Sequence, residues 1–78
     1  MSRVYEISEF IIEKVIENTT DCQYIVDFDE IESKFGELSM MDILLTSIII
    51  EDDYRVADLE VHENWFDVVV FLEYVCGC

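Results

Sequence analysis

Four glutamates, Glu6, Glu9, Glu13 and Glu17, recur at intervals of three and four residues. On a helix that spacing stacks carboxylates along one side, about 6 Å apart for each four-residue step. Such a row repeats negative charge much as a nucleic-acid strand does. The chemistry it can perform is capture of Lys and Arg side chains. The row opposes the helix that carries it. Each like-charge pair four apart, Glu9–Glu13 and Glu13–Glu17, costs about 0.2–0.5 kcal/mol, and only Lys14 is near enough to offset them. A second acidic set lies further on. Glu51, Asp52 and Asp53 are consecutive, and Asp58 and Glu60 alternate. On one face of a strand those last two stand about 6.8 Å apart.

The remaining reactive residues point to nothing specific. His62 is the single histidine and is close to Glu60 and Glu63. A Cys–His nucleophile would also need an oxyanion hole or a signature loop, and the sequence has neither pattern. Asp27, Asp29, Glu30 and Glu32 suggest a calcium loop. An EF-hand starting at Asp27 would require an oxygen ligand at Ile31, glycine at Glu32 and glutamate at Leu38, so that reading fails. Cys76-Gly77-Cys78 resembles half a zinc site, to be completed by Cys22 or a second chain. It also matches a doubly prenylated terminus, but the preceding Leu72-Glu73-Tyr74-Val75 has no basic residue to assist a membrane anchor. Three cysteines without framework spacing read as reduced thiols in a cytoplasmic protein. The expectation is a protein that is not an enzyme and uses no cofactor or metal.

Bulk composition strengthens the electrostatic reading. The 78 residues hold 19 Asp and Glu against 4 Lys and Arg, a formal charge of −15. A single domain of this size should expose roughly 4,900 Å², or one acid per roughly 260 Å². Duplex DNA carries one charge per roughly 110 Å² of its cylinder. Gathering half the acids on one face would approach that density. The chain is no disordered acidic tail, because it is 53% hydrophobic, with two glycines and no proline. A net charge of about 2 to 8 suffices for solubility, so the excess costs self-repulsion without a solubility reason. High-salt adaptation would also explain acidity, but such surfaces usually shed the bulky apolar residues kept here. The N-terminus shows no secretion pattern. The longest apolar run, residues 43–50, is too short to span a bilayer.

The elements that must position these residues follow from periodicity. Residues 4–18 form a helix with Val4, Ile11, Ile12 and Val15 inward, Ile7 and Ile16 at the edges and Phe10 on an exposed flank. Residues 18–21 are a turn. Residues 22–28 alternate as a strand, with Cys22, Tyr24, Val26 and Phe28 on one face. Asp29 caps a short helix that Gly36 ends, and Ser39 with Asp42 opens another. That second helix is apolar nearly all round, as a buried helix or one that gives way to a strand over residues 46–50. It is expected to run to about Ser47, with Ile48 to Ile50 open between helix and strand and Glu51-Asp52-Asp53 as a polar break. Residues 54–62 and 65–75 then form a hairpin. Ala57, Leu59 and Val61 face one way, and Asp58, Glu60 and His62 the other. The last strand is apolar on both faces, as a central strand would be. The order α-β-α-α-β-β predicts an α+β fold, an antiparallel sheet of about three strands packed against helices.

In size and charge the chain is similar to small acidic inhibitors that imitate nucleic acid, uracil-DNA glycosylase inhibitors and several anti-CRISPR proteins among them. The resemblance is compositional and carries over no residues. It implies a phage-type inhibitor that blocks the basic channel of a nucleic-acid-binding enzyme. A CRISPR nuclease is the first target to try, with restriction and repair enzymes equally compatible. The expected contacts are Glu6, Glu9, Glu13, Glu17, Glu51, Asp52, Asp53, Asp58 and Glu60. The expected partner is a basic protein, with no nucleic acid or membrane bound directly, and the chain is a monomer or homodimer. The alternatives are an immunity or antitoxin-like protein that grips a basic toxin through Trp65, Phe66 and Phe10, and a structural homodimeric subunit.

Overall fold

Three helices and three strands are present among the described residues of the computed structural model, which describes residues 3–18, 22–54 and 56–71. They run α1 (Arg3–Asn18), β1 (Gln23–Asp27), α2 (Phe28–Phe35), α3 (Met40–Asp53), β2 (Val56–Val61) and β3 (Trp65–Val70). The strands form an antiparallel sheet in the order β1-β3-β2, and the helices cover one face of it, an α+β fold. The expected turn at Thr19, Thr20 and Asp21, residues 72–75 of the last strand, and Cys76 and Cys78 lie outside the described residues.

Helix α1 buries Val4, Ile7, Ser8, Ile11, Ile12 and Val15. Ile7 is fully buried and belongs to the centre of that face, while Ile16 turns outward. The Ser8 hydroxyl reaches the core by donating to its own helix, to the Val4 carbonyl at 2.7 Å. Beneath α1, alternate residues of the sheet point to the helices: Val26 of β1 and Phe66, Val68 and Val70 of β3 are all buried. β3 is the central strand, bonded on both sides, which is why its sequence is apolar on both faces.

Strand β1 ends one residue earlier than alternation suggests. Phe28 begins α2, and Asp27, in extended backbone, is the N-cap position in place of Asp29. Phe28 still reaches the core, its ring 5.0 Å from that of Phe66. Gly36 terminates α2 with a φ of 90°, a left-handed conformation that favours glycine, and its N–H donates to the Glu32 carbonyl.

Helix α3 opens with the anticipated capping box. The Ser39 hydroxyl accepts from the Asp42 N–H at 3.1 Å, and the Asp42 carboxylate accepts from the Ser39 N–H at 3.0 Å. The helix then continues to Asp53, past the expected end at Ser47. Glu51, Asp52 and Asp53 are therefore its last turn and not a break. In β2 the register slips between Val56 and Asp58, so Val56 pairs with Val70 and packs on the core while Ala57 is exposed.

Candidate protein-binding surface

The register decides where the acidic residues go. Asp58 pairs with Val69 and Glu60 with Asp67, whereas Leu59 pairs with the buried Val68. Asp58 and Glu60 thus lie on the outer face of the sheet, away from the helices. Glu6, Glu9, Glu13 and Glu17 are exposed on α1, in the helical layer. The two rows do not share one flat face.

Other residues connect them. Tyr54 follows α3 and packs against the core. Its phenol is held above the usual value of 10.0, first by burial and then by the negative charges of Glu9, Asp53 and Glu13. The charges of the middle of the α1 row and of the end of α3 are thus felt together at this side chain. Glu51 lines a shallow depression of about 200 Å³ with Val56, Ala57, Asp58 and Leu59. Since β2 is an edge strand, the acids form a band that runs from Glu9 and Glu13 over the end of α3 and around the sheet edge to Asp58 and Glu60. Glu6, Glu9 and Glu13 line a second depression, of about 170 Å³, beside Phe10, Lys34 and Phe35. Glu17 stands a turn beyond Glu13 and lines none of these depressions.

The described cations lie along the flank of α1 that faces α2, and Lys34 lines the same depression as Glu6, Glu9 and Glu13. The Arg3 guanidinium donates to the Phe35 and Glu37 carbonyls and to the Asp42 carboxylate at 2.7 Å. Lys14 lies 3.4 Å from Glu30, and the Lys34 ammonium lies 4.9 Å from the Phe10 ring centroid. All three serve the seam between α1, α2 and the start of α3. No described cation forms an ion pair with any of the nine acids named above except His62, 3.5 Å from Glu60 and charged only when protonated. Arg55 lies outside the described residues.

Placement on the helices adds to the cost. Neither α1 nor α3 has a basic residue in its last turn. Glu17 ends near the C-terminus of α1, and Glu51, Asp52 and Asp53 close α3. The helix dipole is negative at those ends and repels carboxylates by about 0.3–1 kcal/mol each. A sequence selected only to fold would place lysine there.

Two of the aromatic anchors change character. Phe66 is fully buried and unavailable to a partner. Phe10 is half-buried, edge-on to Phe35 at 5.6 Å. Trp65 is half-exposed but stacked on His62 at 5.0 Å. Cross-strand pairing also brings Asp67 to Glu60 and His62, the three donor atoms within 4.8 Å of one another on the outer sheet face. Asp67 is already engaged there, accepting from the Gln23 amide at 2.7 Å.

The apolar surface missed in the sequence is on α3. Met40, Met41, Leu44, Leu45 and Ile48 are exposed, while Thr46 faces the core. Beside them, Val4, Tyr5, Leu45, Ile48, Ile49, Asp52 and Asp53 line a groove of about 420 Å³ between α1 and α3. A helix apolar all round, in so small a protein, must expose one side. That signal was in the sequence. Which side was not. Among the described residues no helix is long and apolar enough to cross a membrane.

The chain matches no protein family, no curated protein and no solved structure.

Proposed function

We propose that this protein is a non-enzymatic inhibitor that holds a basic nucleic-acid-binding protein, presenting carboxylates where that protein would grip phosphates. The observation that carries the reading is the exposure of Glu6, Glu9 and Glu13 along α1 and of Glu51, Asp52 and Asp53 at the end of α3, with the charges of Glu9, Asp53 and Glu13 felt together at Tyr54 and Arg3, Lys14 and Lys34 engaged along the seam of α1 with α2. The fold bears like-charge repulsion and two unfavourably charged helix ends to keep this band. Solubility alone does not require that arrangement.

The band bends from the helical layer to the outer sheet face, so the target must enclose it. A channel or cleft lined with Arg and Lys fits, and a flat basic plate does not. The body measures 34 × 21 × 19 Å, and its cross-section is comparable to the width of a nucleic-acid duplex, about 20 Å. Association would be steered by charge and weakened by salt. A CRISPR nuclease, a restriction enzyme and a repair enzyme are all targets of this kind.

The test is capture from host extract by the tagged protein at low and high salt, with and without added DNA. A basic nucleic-acid enzyme held at low salt and displaced by DNA supports the proposal. The triple variant Glu9→Lys, Glu13→Lys, Asp53→Lys should fold and lose that capture. Capture of a basic toxin that DNA does not displace would replace this reading with an immunity role. Undiminished capture by the triple variant would remove the band from the mechanism.

A further inference from the structure

We propose that the outward face of α3, together with Tyr5 of α1, is the interface of a two-fold dimer of this chain. Tyr5, Met40, Met41, Leu44, Leu45 and Ile48 are 52, 85, 60, 55, 38 and 47% exposed. They form one patch, because residues 41, 44, 45 and 48 succeed one another along one side of a helix. Taking about 200 Å² for a fully exposed side chain of this size, the six leave roughly 650–700 Å² open. The largest apolar patch on an ordinary monomer is about 300–600 Å². A standard interface buries about 800 Å² on each partner. The patch with its margins therefore meets what a stable dimer needs.

The shape selects a second copy as the occupant. A two-fold interface must fit itself, carrying both a projection and a recess to receive it. Met40 and Met41 project from the first turn of α3. The groove of about 420 Å³ lined by Tyr5, Leu45 and Ile48, with Asp52 and Asp53 at its acidic end, is the recess, one to two turns along the same helix. With two α3 helices antiparallel and crossing near Leu44 and Leu45, Met41 of each copy meets Ile48 of the other and enters that groove. Methionine, flexible and polarizable, suits this role.

Charge selects the antiparallel orientation. Parallel helices would set the two Glu51-Asp52-Asp53 ends side by side. Antiparallel helices bring that acidic end to the start of the other α3, where the helix dipole is positive and Arg3 is half-exposed. Asp42, at the border of the patch, is already paired with Arg3, and Asp52 and Asp53 line the end of the groove. Most of the acidic band stays outside the contact, so the dimer presents two copies of it.

Sedimentation equilibrium over a concentration series provides the test, with circular dichroism on each variant to verify folding. The wild type should sediment at twice the 9.2 kDa chain mass. Leu44→Glu and Met41→Glu should each weaken the dimer by roughly a hundredfold or more while keeping the helical spectrum, because each places a charge in an apolar contact. Ile25→Glu, on the exposed outer sheet face, should leave the dimer intact. Dimerisation should also tighten when salt rises from 0.02 to 0.5 M, about the same span that weakens charge-driven capture, since salt screens the repulsion between copies. A wild type that stays monomeric at all concentrations overturns the proposal. So does a dimer that Ile25→Glu dissociates and Met41→Glu does not. Neither result bears on whether a basic protein is captured.

Discussion

Thr46 stands on the wrong side of α3. It is 1% exposed, and its hydroxyl has no hydrogen-bond partner among the described residues. Ser47, one residue on, is in the ordinary arrangement, its hydroxyl donating to the Ile43 carbonyl at 2.9 Å. A buried hydroxyl left without a partner costs about 1–3 kcal/mol. Valine has the same branched shape and the same helix propensity, with a methyl where the hydroxyl was. Thr46→Val should therefore stabilise the protein by about 1–2 kcal/mol, allowing for incomplete desolvation of the threonine in the unfolded chain. In a domain of this size 1 kcal/mol moves Tm by about 4–8 °C, so the expected rise is about 4–16 °C. Thr46→Ser is the matched control. It keeps the hydroxyl, deletes the methyl and leaves a small cavity, so it should lose about 1 kcal/mol. Urea unfolding followed by circular dichroism measures both, at one fixed protein concentration because a dimer makes stability depend on concentration. The slope with denaturant should not change. If Thr46→Val instead loses 1 kcal/mol or more, the hydroxyl is satisfied in solution and the reasoning is refuted.

The capping box gives a pH prediction. The Ser39 N–H and the Arg3 guanidinium hold the Asp42 carboxyl below its ordinary 3.8, so its contribution is present above that value and lost as pH falls through the depressed one. Acid unfolding should accordingly be less steep in Asp42→Asn than in the wild type across the range below about pH 4, and equal slopes would show that the box does not form. Tyr54 gives the converse. Its phenol titrates above 10.0, so the stability it supplies is present below 10.0 and is lost as pH rises through the elevated value. Ultraviolet titration of the phenolate should show that Glu9→Gln and Asp53→Asn each bring Tyr54 down toward 10.0, while Glu37→Gln, next to Arg3, leaves it unchanged. An unshifted phenol in the first two variants would mean that the acidic residues do not converge there.

How much of this was legible depends on which interactions decide each feature. Local ones could be read. Ser39 and Asp42 form their box three residues apart, Gly36 takes the left-handed conformation that ends α2, and the spacing of Val4, Ile11, Ile12 and Val15 marks the buried side of α1. Features set by distant partners were misread. The run Thr46 to Ile50 is β-branched apart from Ser47 and suits a strand on propensity, yet it is helical because the Ser39 cap starts α3 and α1 and the β2 edge pack against its length. Phe28 continues the alternation of β1 and still turns into α2, because its place beside Phe66 is reached from the helix as well as from the strand. The acidic rows show the limit most clearly. Periodicity assigned each acid to a face of its own element. Only the pairing of Glu60 with Asp67, and of Leu59 with Val68, shows that Asp58 and Glu60 look away from the helices.

Helix α3 joins the two surfaces and makes them separable. Its outward side is apolar, its final turn is acidic, and a single salt series acts on them in opposite directions. Screening weakens the attraction of Asp53 and Glu9 for a basic target. The same screening relieves the repulsion between two chains of charge −15 and leaves the contact through Leu44 and Leu45 intact. A target bound through the acidic band should therefore leave as salt rises while the dimer persists. A target held in the α1–α3 groove would remain bound and would compete with the second copy for Tyr5 and Ile48. Loss of target without loss of dimer thus assigns the band to recognition and the helix face to assembly. Simultaneous retention of target and loss of dimer would assign the groove to recognition instead.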